Sequence, residues 1–343
     1  MKYVLLFALL SLISTQLFAR DYTPAKITKN NNSKKPKTTS NFSKREGWII
    51  LDYIIDEKGK TRNYLVLDGN DEEKYLERTI ERIQNYSFTP AMLDGNSVPT
   101  HSYYKMRYGK TFYNNPNDGI SRAFNRRYKD ISNLLGENKL EDAKVELEEL
   151  REDYAKNLTE QALSAWIHAL YYYSVKDWFS YRDYTQIGFH LKEYLSTDIA
   201  LQNTKNLLQW QVYKKDYSGA AYTLNQLNEM EGINFTEGAY EKTKQDITAA
   251  YNKEPLIQIH SQLSEGKAWV HELTGSKLSV KVHNGKINQM ELRCYDSWHK
   301  FETFEFEDFA APSQESKCFL FIKGEHGTQF SYQEKDKYPE LLF

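Results

Sequence analysis

The chain has 343 residues, with 45 Lys and Arg against 47 Asp and Glu, a formal charge of −2, and 26 tyrosines. That length exceeds what one hydrophobic core usually organises, so more than one domain is expected. The near-neutral balance gives no electrostatic reason for a nucleic-acid partner, and the tyrosines suggest interfaces or amphipathic packing surfaces rather than a particular chemistry.

At the start, Lys2 precedes the apolar run Tyr3 to Ile13, then Ser14-Thr15-Gln16 and a small-residue stop at Ala19. A positive head, an apolar middle and a cleavable end predict a secretory signal peptide over residues 1–19, and hence a periplasmic protein. Tyr3 to Ala19 is at the short end of the ~17–25 residues that a membrane helix needs. An uncleaved inner-membrane anchor is the alternative, and the lack of a nearby Cys excludes lipoprotein processing. From Arg20 to Arg45 there are eight Lys or Arg and one Asp. Low hydrophobicity with high net charge predicts a basic disordered linker over residues 20–45, with loose contact to anionic lipid or lipopolysaccharide as its functional alternative.

Residues 46–109 read as strand, strand, helix, strand. Gly47 to Ile55 alternates and runs into Asp56-Glu57-Lys58-Gly59-Lys60, then Tyr64-Leu65-Val66-Leu67. Asp71-Glu72-Glu73 opens a helix whose apolar face carries Tyr75, Leu76, Thr79, Ile80 and Ile83. After Tyr86-Ser87-Phe88-Thr89-Pro90-Ala91, the Asp94-Gly95 turn leads to a last strand, Ser97 to Tyr108. A sheet covered by one helix buries a single face, so one alternate set of this strand is expected under the helix. Pro99 cannot donate a ladder bond, which places the strongest pairing from His101 onward.

This ordered series resembles the C-terminal domain of the TonB energy-transducer family. The pieces that carry the resemblance are Glu46-Gly47, "IIDEKGK", "YSFTPAMLDGNSVP" and the closing alternating strand; Phe88, Pro90, Ala91, Gly95 and Pro99 fall where the family places them. The resemblance implies an α+β binding module that catalyses nothing. It further implies that the last strand accepts an extended segment of an outer-membrane transporter by strand addition. Carried onto this sequence, the partner-binding candidates are Val98, Thr100, Ser102, Tyr104, Met106 and Tyr108. The best-known members keep an uncleaved anchor with a histidine, whereas no His precedes His101 here.

Residues 120–253 are helical in texture. Leu140, Trp178 and Tyr217 recur at intervals of 38 and 39 residues and head three degenerate helix–turn–helix copies. The third, "KKDYSGAAYTLNQL", resembles a tetratricopeptide repeat, which implies stacked hairpins with a concave side. A generic helical spacer is the plainer reading.

Residues 255–335 alternate as strands at Leu256–His260, Ala268–Leu273, Leu278–Val282, Ile287–Cys294, Phe301–Phe306 and Cys318–Ile322. A small antiparallel sandwich or barrel of six or seven strands is expected. Asn284-Gly285 reads as a type I′ hairpin turn. Cys294 and Cys318, the only cysteines, predict an intramolecular disulfide in an oxidising compartment.

Catalytic chemistry finds no support. His260, His271 and His283 lie on successive strands, but their spacing lacks the tight pairing of metal ligands, so no metal and no cofactor are expected. Glu141, Asp142, Glu146, Glu148 and Glu149 form a solvated helix face. The chain has no nucleophile elbow and no phosphate-binding glycine loop. The expectation is a multi-domain, non-enzymatic protein: a TonB-like α+β domain, an all-α tetratricopeptide-like array and a small all-β domain. Its partner is an outer-membrane transporter or another envelope protein. The alternative is a structural envelope scaffold that contacts peptidoglycan without energy transduction.

Overall fold

The computed structural model describes residues 21–30, 45–70, 73–108, 119–230, 238–311 and 316–343. The expected signal peptide, residues 1–19, lies outside them. Among the described residues the chain combines eight α-helices with several antiparallel sheets.

The first unit contains β1 (Tyr22–Thr23), β2 (Lys26–Asn30), β3 (Gly47–Ile55), β4 (Thr61–Gly69), α1 (Glu73–Gln84), β5 (Tyr86–Thr89), β6 (Ala91–Leu93), β7 (Asn96–Val98) and β8 (Thr100–Tyr108). Its central sheet has the order β4-β3-β8, with β1-β6-β7 and β2-β5 as smaller antiparallel sheets. The front of the expected disordered linker is therefore ordered: β1 pairs with β6 and β2 with β5. A polar, basic segment manages this because ladder bonds use the backbone and ask little of exposed side chains. The Asp56 turn follows the sequence closely. Asp56 Oδ1 accepts the Lys58 and Lys60 N–H groups, each at 2.9 Å, and Gly59 sits at φ 72°. A Cβ on Gly59 would stand 2.1 Å from the Phe88 carbonyl oxygen, which links the turn glycine to the Tyr86–Thr89 segment. Asp94 and Gly95 both have positive φ, 50° and 81°, as a type I′ turn requires.

The helical region runs through α2 (Arg122–Gly136), α3 (Leu140–Glu149), α4 (Leu158–Val175), α5 (Trp178–His190), α6 (Thr197–Tyr213), α7 (Tyr217–Asn228) and α8 (Ala239–Lys253). Leu140, Trp178 and Tyr217 each open the second helix of a hairpin. The three hairpins also share one closure. Two residues ahead of each anchor stands a left-handed residue: Asn138, Lys176 and Lys215, at φ 58°, 60° and 62°. Its N–H bonds three residues back, to Leu135, Tyr173 and Val212, and the next N–H bonds to Leu134, Tyr172 and Gln211. This is a Schellman closure made three times. A left-handed lysine costs roughly 1–2 kcal/mol that glycine avoids. Lys176→Gly is therefore expected to raise the unfolding free energy by about 1 kcal/mol, while Lys144→Gly inside α3 lowers it by about the same amount. Urea titration of both variants checks the geometry, and a destabilising Lys176→Gly would contradict it.

The last unit holds β9 (Ile257–Gln262), β10 (Trp269–Glu272), β11 (Gly275–Asn284), β12 (Ile287–Cys294), β13 (Trp298–Lys300), β14 (Phe306–Ala310), β15 (Cys318–Gly324) and β16 (Gln329–Lys337). Two four-stranded antiparallel sheets, β10-β15-β12-β13 and β14-β11-β16-β9, make a sandwich of eight strands rather than six or seven. The expected Asn284-Gly285 hairpin is corrected. β11 and β12 belong to different sheets, and only Gly285 has positive φ, 83°. Leu278 and Val280 on β11 share one core with Ile287, Met290 and Leu292 on β12. A hairpin would have set those two apolar sets side by side in one sheet, so the chain crosses between sheets instead. Gly285 is required because a Cβ would lie 2.8 Å from the Thr328 Cα.

The three units do not behave as beads on a tether. All nine residues of β3 are buried. Ile49, Leu51, Tyr53 and Ile55 share a core with Ile83 of α1. Trp48 and Ile50, on the other face, pack with Leu158, Ala162, Leu191 and Leu195 of the helical region, and Leu65 of β4 packs with Ala268 and Phe321 of the sandwich. The expectation of a half-covered sheet is therefore corrected: helix α1 takes one face, and the remaining two units take the other. A second shared core runs from Tyr217, Leu224 and Tyr251 into Ile257, Leu278 and Tyr332.

Candidate functional site

β8 is the last strand of its sheet and pairs with β3 from Gly47↔Tyr108 to Ile55↔Thr100. No strand pairs with its outer edge among the described residues. The six partner-binding candidates are placed as follows. Val98 pairs with Ala91 in the small β6–β7 ladder. Thr100 is buried, with its Oγ1 3.3 Å from the Tyr22 hydroxyl. Ser102 is partly buried and pairs with Tyr53. Tyr104, Met106 and Tyr108 pack into the core beneath α1. Tyr108 stacks on Tyr75 with ring centroids 4.8 Å apart, and its hydroxyl lies 2.7 Å from Thr79 Oγ1. This set is turned largely into the fold.

The opposite set on β8 meets the other two units. Lys105 donates to the His190 carbonyl, and Arg107 pairs with Glu193. Burial, together with the Arg107 and Lys192 cations, pulls the Lys105 amine down to about 8. His101 Nδ1 lies 2.9 Å from Asp52, and its ring stacks on Tyr295 at 5.2 Å. Only Tyr103, 70% exposed, projects well into solvent from this set. A partner arriving here meets a backbone edge and one tyrosine rather than a row of six side chains.

Behind β8 sits an ionic junction. Arg293 is wholly buried and donates to Asp52 at 2.5 Å, to Glu291 from Nε and Nη2 at 2.9 and 2.7 Å, and to the Asn63 carbonyl at 2.8 Å. Glu291 also accepts from Trp298 Nε1 at 2.9 Å and Gln289 at 2.7 Å. The first unit and the sandwich are thus joined by charged groups whose hydrogen-bonding capacity is largely met, the condition under which buried charge is tolerated. Sequence reasoning missed this junction. Its available signal was the opposite charges of Glu291 and Arg293, two residues apart on one face of a strand.

A second buried array joins the helices to the sandwich. His271 lies between Asp216 (Nδ1 to Oδ1, 3.3 Å) and Glu334 (Nε2 to Oε1, 3.0 Å). Glu334 also accepts from Thr274 N–H and Oγ1 and from the Tyr332 hydroxyl. Burial pulls the imidazole down, but the hydrogen bonds and charges of Asp216 and Glu334 outweigh it and raise the group to about 10.

The three strand histidines therefore separate. His260 and His283 stack at 6.0 Å, while His271 is committed to the buried array. Among the described residues no group of three His, Cys, Asp or Glu could hold a metal ion. Cys294 and Cys318 face one another across β12 and β15 and form the disulfide. On the acidic face of α3, Glu146 and Glu149 both pair with Arg127. Among the described residues no helix is long and apolar enough to cross a membrane. No family model, curated protein or solved structure matches the chain.

Proposed function

We propose that the chain is a non-enzymatic, periplasmic protein-interaction module with a TonB-like first domain and a tetratricopeptide-like array. It binds an extended segment of an outer-membrane transporter by adding that segment to the outer edge of β8. The observation that supports this reading is the position of β8: both faces of its sheet are taken by the chain itself, and its edge has no partner strand among the described residues. Strand addition needs the backbone edge and not the faces. The disulfide supports an oxidising, exported setting. The scaffold alternative draws support from the exposed tyrosines of the helices, Tyr173 at 58% and Tyr213 at 74%.

A photo-crosslinking amino acid at Tyr103 separates the two readings, with Tyr213 as the comparison site. Mass spectrometry of crosslinks formed in cells is expected to return a transporter segment from position 103 and none from 213. Envelope or cell-wall components captured at 213 alone would overturn strand addition in favour of the scaffold.

A further inference from the structure

Where the three units meet, the described residues line a partly open cavity of about 80 Å³. Asp68 reaches it from β4, Arg182, Trp210 and Asp216 from the helical region, and Lys267 and Trp269 from the sandwich. We propose that this cavity binds a small zwitterionic molecule of the size of glycine or alanine. The proposal does not depend on the β8 edge.

Size sets the first limit. A cavity takes roughly 10–15 Å³ of such volume per water-sized group, so this one suits about five to eight heavy atoms. A sugar ring or a peptide would have to leave most of its atoms outside.

Charge sets the second limit. Two cations (Arg182, Lys267) and three carboxylates (Asp68, Asp183, Asp216) line the cavity. Behind the wall, His271 adds a positive charge and Glu334, its second partner, a negative one. Three positive groups thus face four carboxylates, and such a site penalises a bare anion, because burying an uncompensated charge is costly. A molecule with one positive and one negative end faces no such penalty.

Hydrogen bonding sets the third limit. The Trp210 indole N–H is buried and has no acceptor among the described residues. An indole N–H only donates, so it calls for an oxygen from the ligand, and a carboxylate is the strongest acceptor. Asp216, whose Oδ1 takes the Gly219 N–H at 3.1 Å and faces His271, also lines the cavity and is the carboxylate we assign to an ammonium group. Arg182 is spoken for by Asp183 and Ser261, which leaves it to frame the site rather than to bind. Apolar wall from Leu67, Ile259 and Val270 accommodates no more than a short side chain.

Isothermal titration of the full chain with glycine, L-alanine and D-alanine tests this, with acetate, ethylammonium and glycerol as comparisons. Trp210 and Trp269 fluorescence gives a second readout. For so few atoms a dissociation constant between about 1 μM and 1 mM is expected, for the zwitterions only. Trp210→Phe keeps a ring but removes the N–H, and is expected to weaken binding about tenfold with the melting temperature monitored in parallel. Equal binding of glycerol, binding of acetate alone, or no saturable response from any amino acid would overturn the proposal. So would an unchanged affinity in a folded Trp210→Phe variant.

Discussion

Replacing Arg293 with Met is expected to lower the unfolding free energy by about 3–5 kcal/mol, the usual cost of removing one partner from a buried ion pair. The side chain is wholly buried, and its loss strands Asp52, 2% exposed, and Glu291, wholly buried, without their shared cation. Among the described residues Asp52 then keeps the His101 side chain, while Glu291 keeps Trp298 and Gln289. Asp52 should therefore dominate the penalty. Pairing Arg293→Met with Asp52→Asn is expected to cost at least about 1 kcal/mol less than the sum of the single changes, since the stranded charge is gone. Urea unfolding followed by both fluorescence and circular dichroism measures this. A loss under about 1 kcal/mol, or strict additivity, would show that the junction contributes nothing.

The same pair reports whether the units unfold together. Arg293 belongs to the sandwich and Asp52 to the first sheet, and the cores on either side are continuous. The parent should unfold in one transition by both probes, as a two-state unit does. In Arg293→Met the first unit loses a fixing contact to the sandwich, and the fluorescence and dichroism midpoints are expected to separate.

How far the sequence led follows from which interactions are local. The Asp56-to-Lys60 turn, the Asp94-Gly95 turn and the starts of α3, α5 and α7 at Leu140, Trp178 and Tyr217 were legible because turn chemistry and helix period act over a few residues. The left-handed Lys176 and Lys215 were not, since lysine gives no hint of positive φ. Sheet membership also escaped. Asn284-Gly285 looks like a hairpin locally, and only the shared core of β11 and β12 decides against it. The unbroken apolar run Trp48-Ile49-Ile50-Leu51 carries the signal of a strand buried on both faces, although the residues after it also fit an alternating pattern. For the candidate edge, the strand itself was legible and the use of its side chains was not. Their partners, Tyr75, Glu193 and Tyr295, lie far along the chain.

His271 should make the stability of this protein fall as pH rises through the alkaline range. The imidazole titrates at about 10 in the folded chain against 6.5 in the unfolded one, because Asp216 and Glu334 outweigh the desolvation that opposes them. A group raised on folding contributes its full stabilisation below the unfolded value and loses it as pH climbs to the folded one. The gap corresponds to roughly 5 kcal/mol, present at pH 6 and gone above pH 10. Lys105 works in the opposite direction. Held at about 8 against 10.5, it penalises the fold at lower pH and releases that penalty as pH rises through 8. The two trends overlap in the parent, so a single stability curve does not separate them. His271→Gln does, because Lys105 is unchanged in it and lies in another buried cluster, against His190. The deficit of the Gln variant relative to the parent is expected to be largest near pH 6 and to shrink by roughly 5 kcal/mol by pH 10. Urea midpoints at half-unit pH steps on both proteins measure that difference directly. A deficit that stays constant with pH would mean the imidazole is neutral between its two carboxylates, and the Asp216–His271–Glu334 array would then be a hydrogen-bonded spacer with no charge to hold the helices against the sandwich.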